Sequence, residues 1–379
     1  MSSLALPREA GQWRARVAAA MAGPVAMASH GHFHALPPGG GPSSGMYVEY
    51  ELPARESGAV PVLLLHGGMQ CGANFRSTPD GRPGWSEYFL RRGYPVYVAD
   101  GPGRGRSGDS AALGAVRRPD RHTTEARFTA PASTMLWREA ALHTRWPGAG
   151  LSGDPTFEQF FAGQQAGLAD AKQYAALGCA ALITLLEHIG PVVLVAHSQA
   201  AHFVWPAAEA RPDLVSAIVA VEPAGPPFVD AVPFGDGSQV TRPWGLSPQA
   251  PILEPRAESP ADLGPLVAEA PPRPGFVSAL LPDGPPRSYV RLAGIPLLVL
   301  TGEASYHARY DHCTVRLLEH FGLAPEHLRL EEFGITGNGH MMMLETNNLD
   351  IAELIAAWLD LRSPKAADDV RNSAQQNIR

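Results

Sequence analysis

The chain has 379 residues, 45% hydrophobic and 18% charged, with a formal net charge of −7, the balance of a soluble globular protein able to bury a core without crosslinks. Its 30 basic side chains are outnumbered by 37 acidic ones and form no dense block, which argues against a nucleic-acid binder built on a basic face. Three cysteines leave room for one pair at most, not for a disulfide framework or a cysteine-rich metal site, and no run approaches the roughly 18 apolar residues of a membrane span.

Residues 1–29 carry Arg14 and Arg16 ahead of "VAAAMAGPVAMASH", with Ala26 and Ala28 before Ser29. The segment reads as an N-terminal arm, with a cleavable export signal as the alternative; a cytoplasmic location is favoured over a periplasmic or secreted one. His30, His32 and His34 alternate, which on a strand puts them on one face, but nothing converges on them as zinc ligands must. "MYVEYEL", 46–52, alternates like a strand. "PVLLLHGG", 61–68, is a continuous apolar run, which suits a strand covered on both faces. It ends in His66-Gly67-Gly68-Met69, a turn able to offer the N–H of Gly68, or else of Met69, to an oxyanion. His66 reads as a support for that loop.

"YPVYVADGPGRGRSG", 94–108, repeats the strand-then-glycine pattern. Its spacing fits neither the dinucleotide fingerprint nor the phosphate loop that ends in Lys and Ser/Thr. Asp100 and the arginines are therefore read as holding the turn, with contact to an anionic substrate as the lesser alternative. Residues 109–166 mix polar, aromatic and Gly/Pro elements and are expected to form a lid insertion. "GLADAKQYAALGCAALITLLEHIG", 167–190, has the apolar stripe of a helix.

The third strand, "PVVLVAHS", 191–198, runs into Ser198 and then "QAAHFVWPAAEA", a helix start. A strand-to-helix turn exposes the serine oxygen and aims the N–H of Gln199 at an incoming oxyanion. The usual Gly-x-Ser-x-Gly is here Ala196-His197-Ser198-Gln199-Ala200. Alanine stays small but adds a methyl group where glycine permits close approach, so the pentapeptide alone reads equally as a serine N-cap. The fourth strand, "VSAIVAVEPAG", 215–225, delivers Glu222 after six almost wholly apolar residues; a carboxylate there needs a partner.

Residues 225–294 hold 15 prolines, too many for a crossover helix, and are expected to form a cap or long loop. "IPLLVLTGE", 295–303, is a fifth strand and "LRLEEFGI", 328–335, a less apolar sixth. "GITGNGHMMMLETNN", 334–348, then places His340 in a loop before the helix "LDIAELIAAWLDLR", 349–362; a flexible polar tail, 363–379, follows. His340 can take the serine proton and return it to the leaving group. Glu222 is the preferred orienting acid, with Asp311 and Glu303 as alternatives. Met69, Trp205 and Met341 are candidate walls of a substrate pocket, each equally suited to core packing.

Strands alternating with helices imply an α/β fold with a mostly parallel sheet flanked by helices, its core drawn from 30–224 and 295–362. In the order Ser198, Glu222, His340, the chain resembles the α/β-hydrolase superfamily, and more narrowly the bacterial esterase 713 type of carboxylic ester hydrolase. The likeness is carried by "MYVEYELP", "LLLHGGMQCG", "TPDGRPGWSEYFLRRGYPVYVADGPGRGRSG", "AHSQA", "IVAVEP" and "GNGHMMMLETNN". The resemblance implies a cofactor-free serine esterase working through an acyl-enzyme, with Ser198 as nucleophile, His340 as base, Glu222 as acid, and Gly68 and Gln199 as oxyanion donors. It also places the acid after the strand that follows the nucleophile.

Two departures stand out. Gly68-Met69 replaces the adjacent cysteines of that family's oxyanion loop, and 225–294 is longer than the short connection the resemblance suggests. The expected substrate is a small-molecule carboxylic ester. A lactonase or related acyl hydrolase and a non-catalytic ligand-binding protein on the same fold are the alternatives. No cofactor, no metal and no nucleic acid is expected; a homo-oligomer is left open.

Overall fold

In the computed structural model, which describes residues 6–55, 57–230 and 239–362, eight strands build one sheet. They are β1 (Met27–Ala35), β2 (Met46–Pro53), β3 (Val62–Leu65), β4 (Val96–Asp100), β5 (Val192–His197), β6 (Val215–Val221), β7 (Leu297–Thr301) and β8 (Glu326–Arg329). Their order across the sheet is β1-β2-β4-β3-β5-β6-β7-β8. The first two pairings, β1 with β2 and β2 with β4, are antiparallel; all the others are parallel. From β3 the chain steps to β4 on one side and then returns to β5 on the other. In an open α/β sheet, that reversal is where a crevice forms at the carboxyl ends of the strands.

The apolar runs are continuous because both faces of the sheet are covered. Successive side chains of a strand point to opposite faces, so Leu63, Leu65, Leu194 and Ala196 enter one core with α4 (Ala171–Ile189) and α5 (Ala201–Ala210). Leu64, Val193 and Val195 enter the other with α1 (Ala10–Ala20), α2 (Trp85–Arg91) and α7 (Asn348–Arg362), where Trp13, Trp85 and Trp358 are fully buried. Each such aliphatic side chain contributes roughly 1.5–3 kcal/mol. The α4 helix starts where Asp170 accepts the N–H groups of Lys172 and Gln173 and stops at Gly190, whose φ is 81°. This is the mostly parallel, helix-flanked architecture of the α/β-hydrolases.

The elements read from the sequence lie within a few residues of these strands, of α4 and of α7. The last strand differs: it covers Glu326–Arg329, and Leu330–Phe333 turn into a 3-10 helix that drops Phe333 into the second core. The stretch at 10–20 forms α1, whose Trp13 indole N–H donates to the Phe333 carbonyl at 2.8 Å. His30, His32 and His34 lie exposed along β1. Residues 109–166 contain short turns, a helical turn at Arg121–Thr124 and α3 (Pro155–Ala162), capped by Asp154. The described residues of the proline-rich segment include one small strand pair, Leu266–Ala268 and Leu280–Pro282, and place Phe228, Trp244, Leu246 and Leu253 in the first core. The helix α6 (Asp311–His320) follows β7. Cys71, Cys179 and Cys313 are free thiols, and no described helix is long and apolar enough to cross a membrane. The tail 363–379 lies outside the described residues.

Candidate active site

The parallel register sets the site. Leu65 pairs with Ala196, His197 with Val221, and Val221 with Leu300, so the ends of β3, β5, β6 and β7 are level. The residues that follow them, His66–Met69, Ser198, Glu222 and Gly302, leave the sheet along one edge.

Ser198 turns the chain from β5 into the helix with a φ of 52°. Ala196 and Ala200 are fully buried in the core beneath α4, and neither has a positive φ. The two methyl groups that replace glycine therefore fill core space, while the left-handed conformation falls on the serine itself. Met69, Ser198 and Glu222, with φ of 59°, 52° and 44°, are three of the five non-glycine residues with positive φ among the described residues. Such conformations cost on the order of 1–3 kcal/mol each and persist only where the surroundings over-determine them.

The loop after β3 lies directly against this turn. A Cβ on Gly67 would stand 2.7 Å from His197 Nδ1 and 3.2 Å from Ser198 Cβ, so only glycine fits there. His66 braces the loop: its Nδ1–H donates to the Gly67 carbonyl and its Nε2 accepts the Gly101 N–H, both at 2.8 Å. The Met69 carbonyl accepts the N–H of Gln165 at 2.7 Å, tying the loop to the following segment. Gly68, Met69, Ser198, Gln199 and His340 line one cavity of about 280 Å³. The Gln199 N–H belongs to the first helical turn, where backbone N–H groups have no intrahelical acceptor.

Glu222 is fully buried. Its Oε1 accepts the Gly302 N–H at 2.8 Å, and its Oε2 accepts the Ser305 hydroxyl at 2.7 Å and Nδ1–H of His340 at 2.6 Å. A proton on Nδ1 leaves Nε2 of His340 as the acceptor. Burial pushes the Glu222 carboxyl above its ordinary range, against the opposing pull of His307 and of the Ser305 and Gly302 hydrogen bonds. Burial also holds His340 well below 6.5, helped by His197, His307 and Arg127. The His340 carbonyl accepts Nε2–H of His197 at 3.0 Å. The turn before it is held by buried Glu345, which accepts from Gly339 N–H, His143 and Asn338 at 2.7–2.8 Å.

The other two acids serve other partners. Asp311 is bonded to His307 Nδ1 at 2.7 Å and to the Thr301 hydroxyl at 2.8 Å, and Glu303 accepts the Gly337 N–H at 2.6 Å. Of the walls considered from sequence, Met69 lines the cavity. Trp205 is packed in the first core and Met341 in the second, where its sulfur accepts from Gln70 at 3.2 Å.

Sequence reasoning assigned no part to Ser305, His307, Phe128 or Tyr306. The His307 ring stacks on His340 at 4.7 Å and 8°, and Phe128 lies 5.6 Å from it at 21°. The spacing of His307 four residues before Asp311, one helical turn, was the available signal. Glu222, His307 and His340 bring donor atoms within 4.8 Å of one another, a carboxylate and two imidazoles that would suit a divalent metal. Both Glu222 oxygens and both Nδ1 atoms already carry hydrogen bonds.

No protein-family model matches the chain. It is 41% identical over 315 residues to the probable secreted lipase phiG of a fungal species, strain ATCC 74256, covering 83% of this chain and 85% of that one. Among solved structures, a bacterial esterase determined at atomic resolution superposes with a TM-score of 0.57 at 22% identity, over 90% of this chain and 98% of that one; this similarity bears on the fold alone. With that identity to the lipase, and with this fold, the chain belongs to the esterases and lipases of the α/β-hydrolase superfamily and is a serine-type carboxylic ester hydrolase.

Proposed function

We propose that Ser198, His340 and Glu222 act as a Ser-His-Glu triad that hydrolyses a small-molecule carboxylic ester through a covalent acyl-enzyme. The observation that carries this reading is the 2.6 Å bond from His340 to buried Glu222, at the sheet edge where Ser198 makes its left-handed turn. As Ser198 Oγ bonds to the ester carbonyl carbon, its proton passes to Nε2 of His340, and Glu222 stabilises the imidazolium. The carbonyl electrons move onto oxygen, where the N–H groups of Gln199 and Gly68, with Met69 beside them, receive the charge. One such donor is typically worth about 3–4 kcal/mol. The C–O bond to the alcohol then breaks, His340 protonates the leaving oxygen, and water repeats the sequence to free the acid and restore Ser198.

Residues 109–166 act as a lid in this reading and 225–294 as a cap. Arg127, Phe128 and Gln164 from the first line the main cavity, and Asp230 and Arg242 from the second line an adjoining one. The Ser-Gln turn, the Glu-Pro strand end and an acid located after the strand following the nucleophile favour kinship with the esterase 713 type. A cavity of about 280 Å³ favours a compact ester over a long acyl chain.

Fluorophosphonate labelling tests the nucleophile. Modification should fall on Ser198 and vanish, with the turnover of short aryl esters, in a folded Ser198→Ala variant. A folded wild-type chain that neither labels nor cleaves any of a panel of short, long, bulky and cyclic esters would refute the proposal.

A further inference from the structure

The glycine-rich turn after β4 carries two arginines with different surroundings. Arg106 is committed to structure: its N–H and Nε both donate to Asp100 at 2.9 Å, while the other Asp100 oxygen holds the Gly72 N–H at 2.6 Å. Arg104 turns inward. Its side chain is 1% exposed and lines the same cavity as Ser198 and Gln199, yet it forms no ion pair among the described residues. Nη2 reaches the Gln199 side-chain oxygen at 3.3 Å, and the guanidinium lies 5.3 Å over the Tyr174 ring. Nε and Nη1 have no hydrogen-bond partner. The backbone makes room for this cation: a Cβ on Gly167 would stand 2.1 Å from Nη2. A buried guanidinium that forms no direct ion pair is costly to hold, and two unpartnered nitrogens in a cavity point to a ligand.

The rest of the cavity points the same way. Arg117, Arg118 and Arg127 line it with Arg104, against a single carboxylate, Asp120, which caps the Thr123 N–H at 2.8 Å. His202, 7% exposed, also lines the cavity and has neither ring nitrogen satisfied. A planar carboxylate matches the paired donors of a guanidinium. From the unpartnered Arg104 beside the nucleophile turn and the arginine-rich wall around it, we infer that the ester carries a free carboxylate on a short spacer from the scissile carbonyl, as in a monoester of a short dicarboxylic acid. The inference rests on the esterase reading for the position of the scissile bond, but the anion subsite has its own test.

The decisive comparison sets monomethyl glutarate against dimethyl glutarate on the wild-type chain, with glutarate binding followed by calorimetry. The monoester should be preferred in kcat/KM on the order of 10- to 100-fold, the range of one charged hydrogen-bonded contact, and the preference should shrink at high salt. Arg104→Met should collapse the ratio of the two kcat/KM values, and Arg104→Lys should recover part of it. Glutarate should bind the wild-type chain and compete with the monoester. Wild-type preference for the neutral diester, or an equal fall for both esters in Arg104→Met, would overturn the inference and leave Arg104 as a support of Gln199; the first of these needs no variant to fold. Glutarate binding with no cleavage of either ester would instead retain the subsite and remove the esterase reading on which its orientation depends.

Discussion

Glu222 and His340 are joined by a hydrogen bond whose carboxylate is held in place by two further donors. Glu222 is surrounded by donors, Gly302 N–H, Ser305 Oγ–H and His340 Nδ1–H, while Asp311 spends both oxygens on His307 and Thr301. Glu222→Gln would place an amide against Nδ1 and disturb the imidazole tautomer, so kcat should fall by about 10³–10⁴. Asp311→Asn should cost far less. Steady-state rates on one aryl ester, with matched circular dichroism, decide between the acids, and a larger loss in the Asp311 variant would transfer the role. The depressed basicity of His340 sets a pH expectation as well. Because its pKa lies below 6.5, the imidazole stays neutral and able to accept a proton as pH falls through 6.5. The acid limb of kcat/KM should therefore have its midpoint below 6.5; a midpoint at or above that value would contradict the assigned environment.

At the scale of elements, the turn at Ser198, the proposed nucleophile, forms without glycine at position 196 or 200. Glycine serves such a turn where backbone or side chains come too close for a methyl group. Here that need falls on Gly67, pressed against His197 and Ser198, whereas Ala196 and Ala200 are packed in the core. Returning glycine to position 200 should leave turnover on short esters unimproved and lower stability by about 1–2 kcal/mol, from the lost methyl burial and the added backbone freedom. Denaturant melts of Ala200→Gly beside its esterase rate measure both. A gain in rate would show that the methyl group had obstructed the turn.

Across the whole molecule, several histidines are held in neutral form. Burial holds His66 at about 4 and His197, His202 and His327 at about 3, against 6.5 for a free imidazole. Between about 6.5 and about 4, the unfolded chain binds protons at these rings that the folded chain does not, so they withdraw stability as pH falls through that window, while the raised carboxyls of Glu209, Glu222 and Asp311 act in the opposite direction. Because the lowered histidines outnumber the raised carboxyls, the melting temperature should decline from pH 7 to pH 4; a flat or rising profile would contradict that balance.

The apolar runs, the turns that end them and the order Ser198, Glu222, His340 are legible in the sequence because they are local. A strand buried on both faces must be continuously apolar, and a polar residue at its end then stands out against that background. The helix α4 is legible for the same reason, through the spacing of its apolar stripe. Other features depend on contacts between residues far apart in the chain, which no local pattern encodes. The packing of α1 through Trp13 onto Phe333 spans 320 positions, and the anchors of the proline-rich stretch lie in the first core beside residues of the sheet and of α5. The same holds for Ser305 on Glu222, for His307 stacked on His340, and for the contrast between Arg106, bound to its neighbour Asp100, and Arg104, turned into the cavity. Strand periodicity determined which residues reach the edge of the sheet; the parallel register, by making four strand ends level, decided which of them meet.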